Sequence, residues 1–123
     1  MTDKPLILYV DDEFINLKLF EVKFGSSYNI ITAAEGDKGL ELISSFPGVR
    51  IVISDMKMPG MNGIEFITRA RERVPKADFF LITGYELNDE ISCACKSGLI
   101  RKFFCKPINF NEISFEICEA LNS

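Results

Sequence analysis

The stretch Ile51-Val52-Ile53-Ser54-Asp55-Met56-Lys57-Met58-Pro59-Gly60-Met61-Asn62-Gly63 decides the fold. It opens as a short, unbroken apolar run. Such runs mark strands covered on both faces, since half-exposed strands alternate polar and apolar residues. The run turns polar at Ser54-Asp55, passes a Met-Pro-Gly loop and reaches Asn62, three residues before Glu65. That spacing is a capping-box pattern and opens a helix. The helix places Ile64, Ile67, Ala70 and Val74 on one face, and Pro75 ends it.

The same unit recurs outward in both directions. Toward the N-terminus, Leu6 to Val10 reads as a buried strand and Tyr28 to Ala33 as another. Between them, Phe14 to Phe24 is ambiguous at Leu17-Lys18-Leu19, but its eleven residues favour a helix on length. Asp37 to Phe46 reads as a helix stopped by Pro47-Gly48. Toward the C-terminus, Phe79 to Ile82 is a strand, Asp89 to Lys96 a helix closed by Gly98, and Ile100 to Cys105 a fifth strand. Asn109 and Glu112 repeat the capping-box spacing before a last helix that aligns Phe110, Ile113, Ile117 and Leu121. Five strands alternating with five helices imply an α/β fold, a doubly wound parallel sheet covered on both faces.

The chain has 123 residues, which suits one compact domain with no output domain attached. Its net charge of -4, with basic residues scattered among acids, argues against direct nucleic-acid binding. No signal-peptide pattern or membrane-length apolar run is present, so the expected compartment is the cytoplasm. Cys93, Cys95, Cys105 and Cys118 form no CxxC pair and read as reduced, mostly buried hydrophobes. There is no histidine, which excludes Ser-His-Asp catalysis, His-based zinc sites and a phosphohistidine carrier role.

Polar residues follow the strands. The first ends in Asp11-Asp12-Glu13, the third in Ser54-Asp55, the fourth in Thr83, and the fifth runs into Lys106-Pro107. Open α/β sheets bind ligands at the carboxyl ends of strands where strand order reverses. In the order 2-1-3-4-5, Asp11, Asp12 and Asp55 crowd one pocket flanked by Thr83 and Lys106. Two like charges about 5 Å apart repel by roughly 3 kcal/mol at an effective dielectric near 20. Lys106 offsets one charge, and a hard divalent cation such as Mg2+ supplies the rest. A nucleophilic carboxylate, a metal and a lysine together suit phosphoryl transfer. Each residue also has a plainer reading: Asp12 as a helix cap, Asp55 and Thr83 as turn residues, Lys106 as a surface lysine.

With Val10-Asp11-Asp12-Glu13, Ser54 to Gly63, Ile82-Thr83-Gly84-Tyr85 and Lys106-Pro107-Ile108 in this order, the chain resembles the receiver domain of two-component response regulators over essentially its whole length. The resemblance implies a flavodoxin-like sheet in the order 2-1-3-4-5. It makes Asp55 the phosphoacceptor, charged by a sensor histidine kinase or phosphotransfer protein. Asp12, Asp55 and the Lys57 backbone carbonyl would hold Mg2+, with Asp11 acting through a bound water. Thr83 and Lys106 would contact the phosphoryl group, and Gly84 would leave a path to it. Phe103 matches an aromatic switch position, while Phe104 reads as sheet core. Lys57 and Tyr85 stand where dephosphorylation is tuned, and the Lys106-Pro107 bond would be cis. The implied output is a changed surface of fourth helix, fifth strand and last helix, read by a downstream protein target. The chain would act as a monomer or a weak phosphorylation-dependent dimer, and would slowly dephosphorylate itself. The competing readings are a phosphorylation-independent receiver-like scaffold, a small aspartyl-phosphate phosphatase and a flavodoxin-like electron carrier. The last is disfavoured by acids where a flavin phosphate loop belongs.

Overall fold

The structure is a computed structural model that describes residues 4–84 and 88–122. Its elements follow in strict alternation: β1 (Leu6–Val10), α1 (Phe14–Phe24), β2 (Asn29–Ala33), α2 (Gly36–Ser45), β3 (Ile51–Asp55), α3 (Gly63–Arg73), β4 (Asp78–Thr83), α4 (Asp89–Lys96), β5 (Lys102–Cys105) and α5 (Phe110–Leu121). The strands form one parallel sheet in the order β2-β1-β3-β4-β5. Strands β2 and β5 are its edges.

Successive strand side chains point to opposite faces, so each apolar run feeds two cores. Leu8, Val10, Val52 and Leu81 join α2, α3 and α4 through Leu40, Ile43, Phe66, Ile67, Ile91 and Ala94. Ile7, Tyr9, Ile53, Phe80, Ile82 and Phe104 join α1 and α5 through Leu17, Phe20, Phe24, Ile113 and Ile117. That two-sided burial is why the strands read as unbroken apolar runs.

The register sets the level of the strand ends. Val10 pairs with Ser54, and Asp55 pairs with Ile82. The carboxyl ends of β1, β3 and β4 therefore finish at nearly one height. Both β3 and β4 run further than their apolar cores suggest, taking in Ser54-Asp55 and Asp78 with Thr83. By contrast β5 starts only at Lys102: Ile100 is buried, but its N–H bonds to Ala94 O as part of the α4 exit, which turns through Gly98 at φ 80°.

Helix ends explain the loops. Asn62 accepts the Glu65 N–H at 2.9 Å while the Glu65 carboxylate accepts the Asn62 N–H at 3.0 Å, the reciprocal box expected for α3. Asn109 accepts the Glu112 N–H at 3.1 Å at the start of α5. At α1 the N-cap is Glu13, without a side-chain cap, so Asp12 is free of the capping role. The Leu17-Lys18-Leu19 segment is helical, and its pattern is ambiguous because α1 is apolar on both sides: Leu17, Phe20 and Phe24 face the core, while Phe14, Ile15, Leu19 and Val22 lie in solvent.

The cysteines depart from expectation. Cys93, Cys105 and Cys118 are exposed and Cys95 is half-buried, all with free thiols. Cys93 sits on the outer side of α4 and Cys105 at the end of an edge strand, where neither core reaches. Among the described residues no helix is long and apolar enough to cross a membrane.

Gly63 opens α3 directly against the end of β3. A Cβ there would collide with the Asp55 backbone oxygen and stand 2.7 Å from Leu81 Cδ1. Gly63→Ala should therefore lower stability by about 1–3 kcal/mol, the usual cost of overpacking. Urea titration should show a lower midpoint with an unchanged slope.

Candidate functional site

The pocket forms where β1 and β3 end side by side. Asp11 is the residue after β1, and its N–H donates to Ala33 O at 3.1 Å, extending the β1–β2 ladder by one step. Asp12 follows on the surface, and Asp55 is the last residue of β3. One carboxylate oxygen from each of Asp11, Asp12 and Asp55 lies within 4.8 Å of the others. Asp11 is 0% exposed and Asp55 2%, so water cannot screen them well. Lys106 reaches in after β5, and its Nζ donates to Asp55 Oδ2 at 3.1 Å.

The charges do not balance. One ammonium faces three carboxylates, and burial of Asp55 pushes its carboxyl above the ordinary range. Asp11 adds to this, the Lys106 hydrogen bond and charge oppose it, and Asp12 adds again. Burial pulls Lys106 down, but the Asp55 hydrogen bond and nearby acids outweigh it and leave the lysine above its usual value. A hard divalent cation fits this deficit: the donors are all carboxylate oxygens, close together, with one edge of the cluster open at Asp12.

The remaining residues named from sequence fall around this pocket. Thr83 is buried at the end of β4, next to Ile82, whose carbonyl accepts the Met56 N–H at 2.8 Å. Its own carbonyl accepts the Lys106 N–H at 2.8 Å, which ties β4 to the lysine. Gly84 is exposed, and an added Cβ would rest 3.7 Å from Lys106 Cδ, so a longer side chain would lie along the lysine stem. Lys57 is exposed in the loop after β3. The Lys106-Pro107 bond is cis. Phe103 is half-buried against the α3–α4 core, whereas Phe104 is buried on the other face, as the alternation along β5 requires. Tyr85 lies outside the described residues.

Two site residues escaped the sequence reading. The Tyr9 hydroxyl donates to Asp11 Oδ2 at 2.6 Å, and Asn16 Nδ2 donates to the same oxygen at 3.1 Å. The Glu13 N–H donates to Asp11 Oδ1 at 2.9 Å. Burial, then the Asp11 hydrogen bond and charge, hold the Tyr9 hydroxyl firmly protonated. The available signal was spacing: Tyr9 is two residues before Asp11 and so shares its face.

The chain matches the family model described as the response regulator receiver domain over residues 7–117. The chain belongs to this family. Receiver domains are phosphoryl-accepting signalling switches of two-component systems. Among curated proteins, sporulation initiation phosphotransferase F of Bacillus subtilis is 32% identical over 108 residues, covering 87% of this chain and 86% of that protein. The chain spans 22% to 31% of the length of three other curated relatives it matches. Among solved structures, the signal receiver domain of an HD domain-containing protein from Pseudomonas fluorescens Pf-5 superposes with a TM-score of 0.88 at 27% identity, covering 99% of this chain and 90% of that one. Response regulator protein TrrA from Thermotoga maritima, in complex with Mg(2+)-BeF, gives 0.79 at 27% identity, covering 94% of this chain and 98% of that one.

The raised Asp55 carboxyl has a sign that can be tested. An acid with a higher pKa folded than unfolded costs stability as pH rises through the interval between the two values. In metal-free protein, Asp55→Asn should raise the thermal midpoint most at neutral pH. The gain should shrink through the acid range and vanish below about pH 4, where the unfolded carboxyl also protonates.

Proposed function

We propose that Asp55 is the phosphoacceptor of this receiver domain and that the acidic pocket works with Mg2+. The observation that carries this reading is the convergence of Asp11, Asp12 and Asp55 on one point with Lys106 on Asp55. In the step, an Asp55 carboxylate oxygen attacks phosphorus of a phosphohistidine in a sensor histidine kinase or phosphotransfer protein. The P–N bond breaks, its electron pair returns to the donor imidazole, and an acyl phosphate forms on Asp55. Asp12, Asp55 and the Lys57 carbonyl are the groups that would hold the ion, with Asp11 acting through water. Bound there, Mg2+ supplies positive charge against the phosphoryl oxygens. Lys106, already placed at the carboxylate, shifts its ammonium onto one of those oxygens, and the Thr83 hydroxyl donates to another.

Phosphorylation adds about 1.5 to 2 negative charges. Thr83 turns toward them from its buried place, and half-buried Phe103 on the neighbouring strand follows into the space. The face of α4, β5 and α5 then changes shape for a downstream protein target. Lys57, exposed in the loop after β3, and Tyr85 are the residues that would set how slowly the acyl phosphate hydrolyses.

The outer side of α1 supports a protein donor. Phe14, Ile15, Leu19 and Val22 present apolar side chains to solvent, more than a lone domain needs there. A groove of about 280 Å³ lined by Glu13, Asn16, Leu19, Lys106 and Phe110 leads from this stripe to the pocket lysine. A partner seated on the stripe has its phosphohistidine beside Asp55.

Asp55→Asn should abolish stable labelling by acetyl phosphate and by a phosphohistidine donor, scored by phosphate-affinity gels; undiminished labelling would move the acceptor elsewhere. Wild-type labelling should also stop in excess EDTA, and Asp12→Ala should raise the magnesium requirement sharply. Leu19→Asp should cut transfer from a phosphohistidine protein at least tenfold while leaving acetyl phosphate labelling near wild type. Equal loss with both donors would refute the docking face.

A further inference from the structure

We propose that Tyr9 and Asn16 are positioning residues that set how tightly the pocket holds a divalent cation, by fixing the Asp11 carboxylate. The proposal rests on the metal-dependent reading of the pocket given above.

Asp11 is wholly buried and its carboxylate takes three donors: Tyr9 Oη at 2.6 Å and Asn16 Nδ2 at 3.1 Å on Oδ2, and the Glu13 N–H at 2.9 Å on Oδ1. A carboxylate offers about four lone-pair sites. Two donors saturate Oδ2, and the one remaining site is on Oδ1. The group can therefore serve a cation, or water on a cation, through one oxygen only. Turning it over would break three hydrogen bonds, the shortest of them charge-assisted.

The donors are themselves held. The Tyr9 ring is buried and stacks on Phe20 with centroids 4.3 Å apart and planes 15° from parallel. Phe20 in turn lies 4.6 Å from Phe24. Asn16 stands in the first turn of α1, next to buried Leu17. The Asp11 pose is thus fixed from the strand by Tyr9 and from the helix by Asn16. Without these donors, repulsion from Asp12 and Asp55 is free to rotate the carboxylate. A cation would then have to reorganise the pocket before it bound. Partners that orient metal-site groups typically change metal affinity by about 10–100-fold when removed.

Tyr9→Phe keeps the ring and removes only the hydroxyl. Calorimetric titration of the unphosphorylated chain with MgCl2 should show affinity about tenfold weaker in Tyr9→Phe and several-fold weaker in Asn16→Ala. The Glu13 amide resonance, whose N–H donates to Asp11, should shift in metal-free Tyr9→Phe. The decisive arm is a double-mutant cycle: on an Asp11→Ala background, Tyr9→Phe should cost less than twofold. Unchanged magnesium affinity in both single variants would overturn the proposal. So would an equal loss with and without the Asp11 carboxylate, since Tyr9 would then act through packing alone. If Tyr9→Phe fails to fold, Asn16→Ala carries the same cycle from a half-exposed position. A wild-type chain that binds no magnesium would overturn the metal reading itself, and this proposal with it.

Discussion

Everything at the functional end of this domain depends on holding like charges together against their repulsion. Asp11 and Asp55 are fixed at the tips of adjacent parallel strands, and neither can retreat without breaking the ladder beneath it. The energy needed comes from the rest of the molecule. Two apolar cores, one on each face of the sheet, clamp β1 and β3 from both sides. The pocket is consequently preorganised for positive charge, and Lys106 supplies part of it. A flexible loop carrying the same three acids would spread them apart.

Much of this was legible in the residues. The continuous apolar runs announced strands covered on both faces, and polar residues after each run located the pocket. The pairing of Asp12 and Asp55 across two strands needed only the strand order, which the sheet confirms. What could not be read had physical causes. Tyr9 looked like one more aromatic in a core strand, because a hydroxyl is invisible to hydrophobic patterning until its partner is known. α1 defeated periodicity because it is apolar inside and out. The ends of β3 and β4 extended past their apolar stretches because ladder bonds do not stop where hydrophobicity does.

The cysteines teach the opposite lesson. Their type is usually buried, yet Cys93, Cys105 and Cys118 are exposed. Placement won over preference: Cys93 falls off the α4 face defined by Ile91 and Ala94, and Cys118 follows buried Ile117 by one residue on α5. Single-residue tendencies predict little once a helix phase is set by larger neighbours.

The short outer strand β5 carries one further implication. Its free backbone edge is the natural place for a second chain to add itself and seed fibres. Only four residues form it, and Pro107, two residues past its end, has no N–H to offer. A chain carrying eleven phenylalanines is thereby guarded against edge-to-edge aggregation by a short rim and a missing hydrogen.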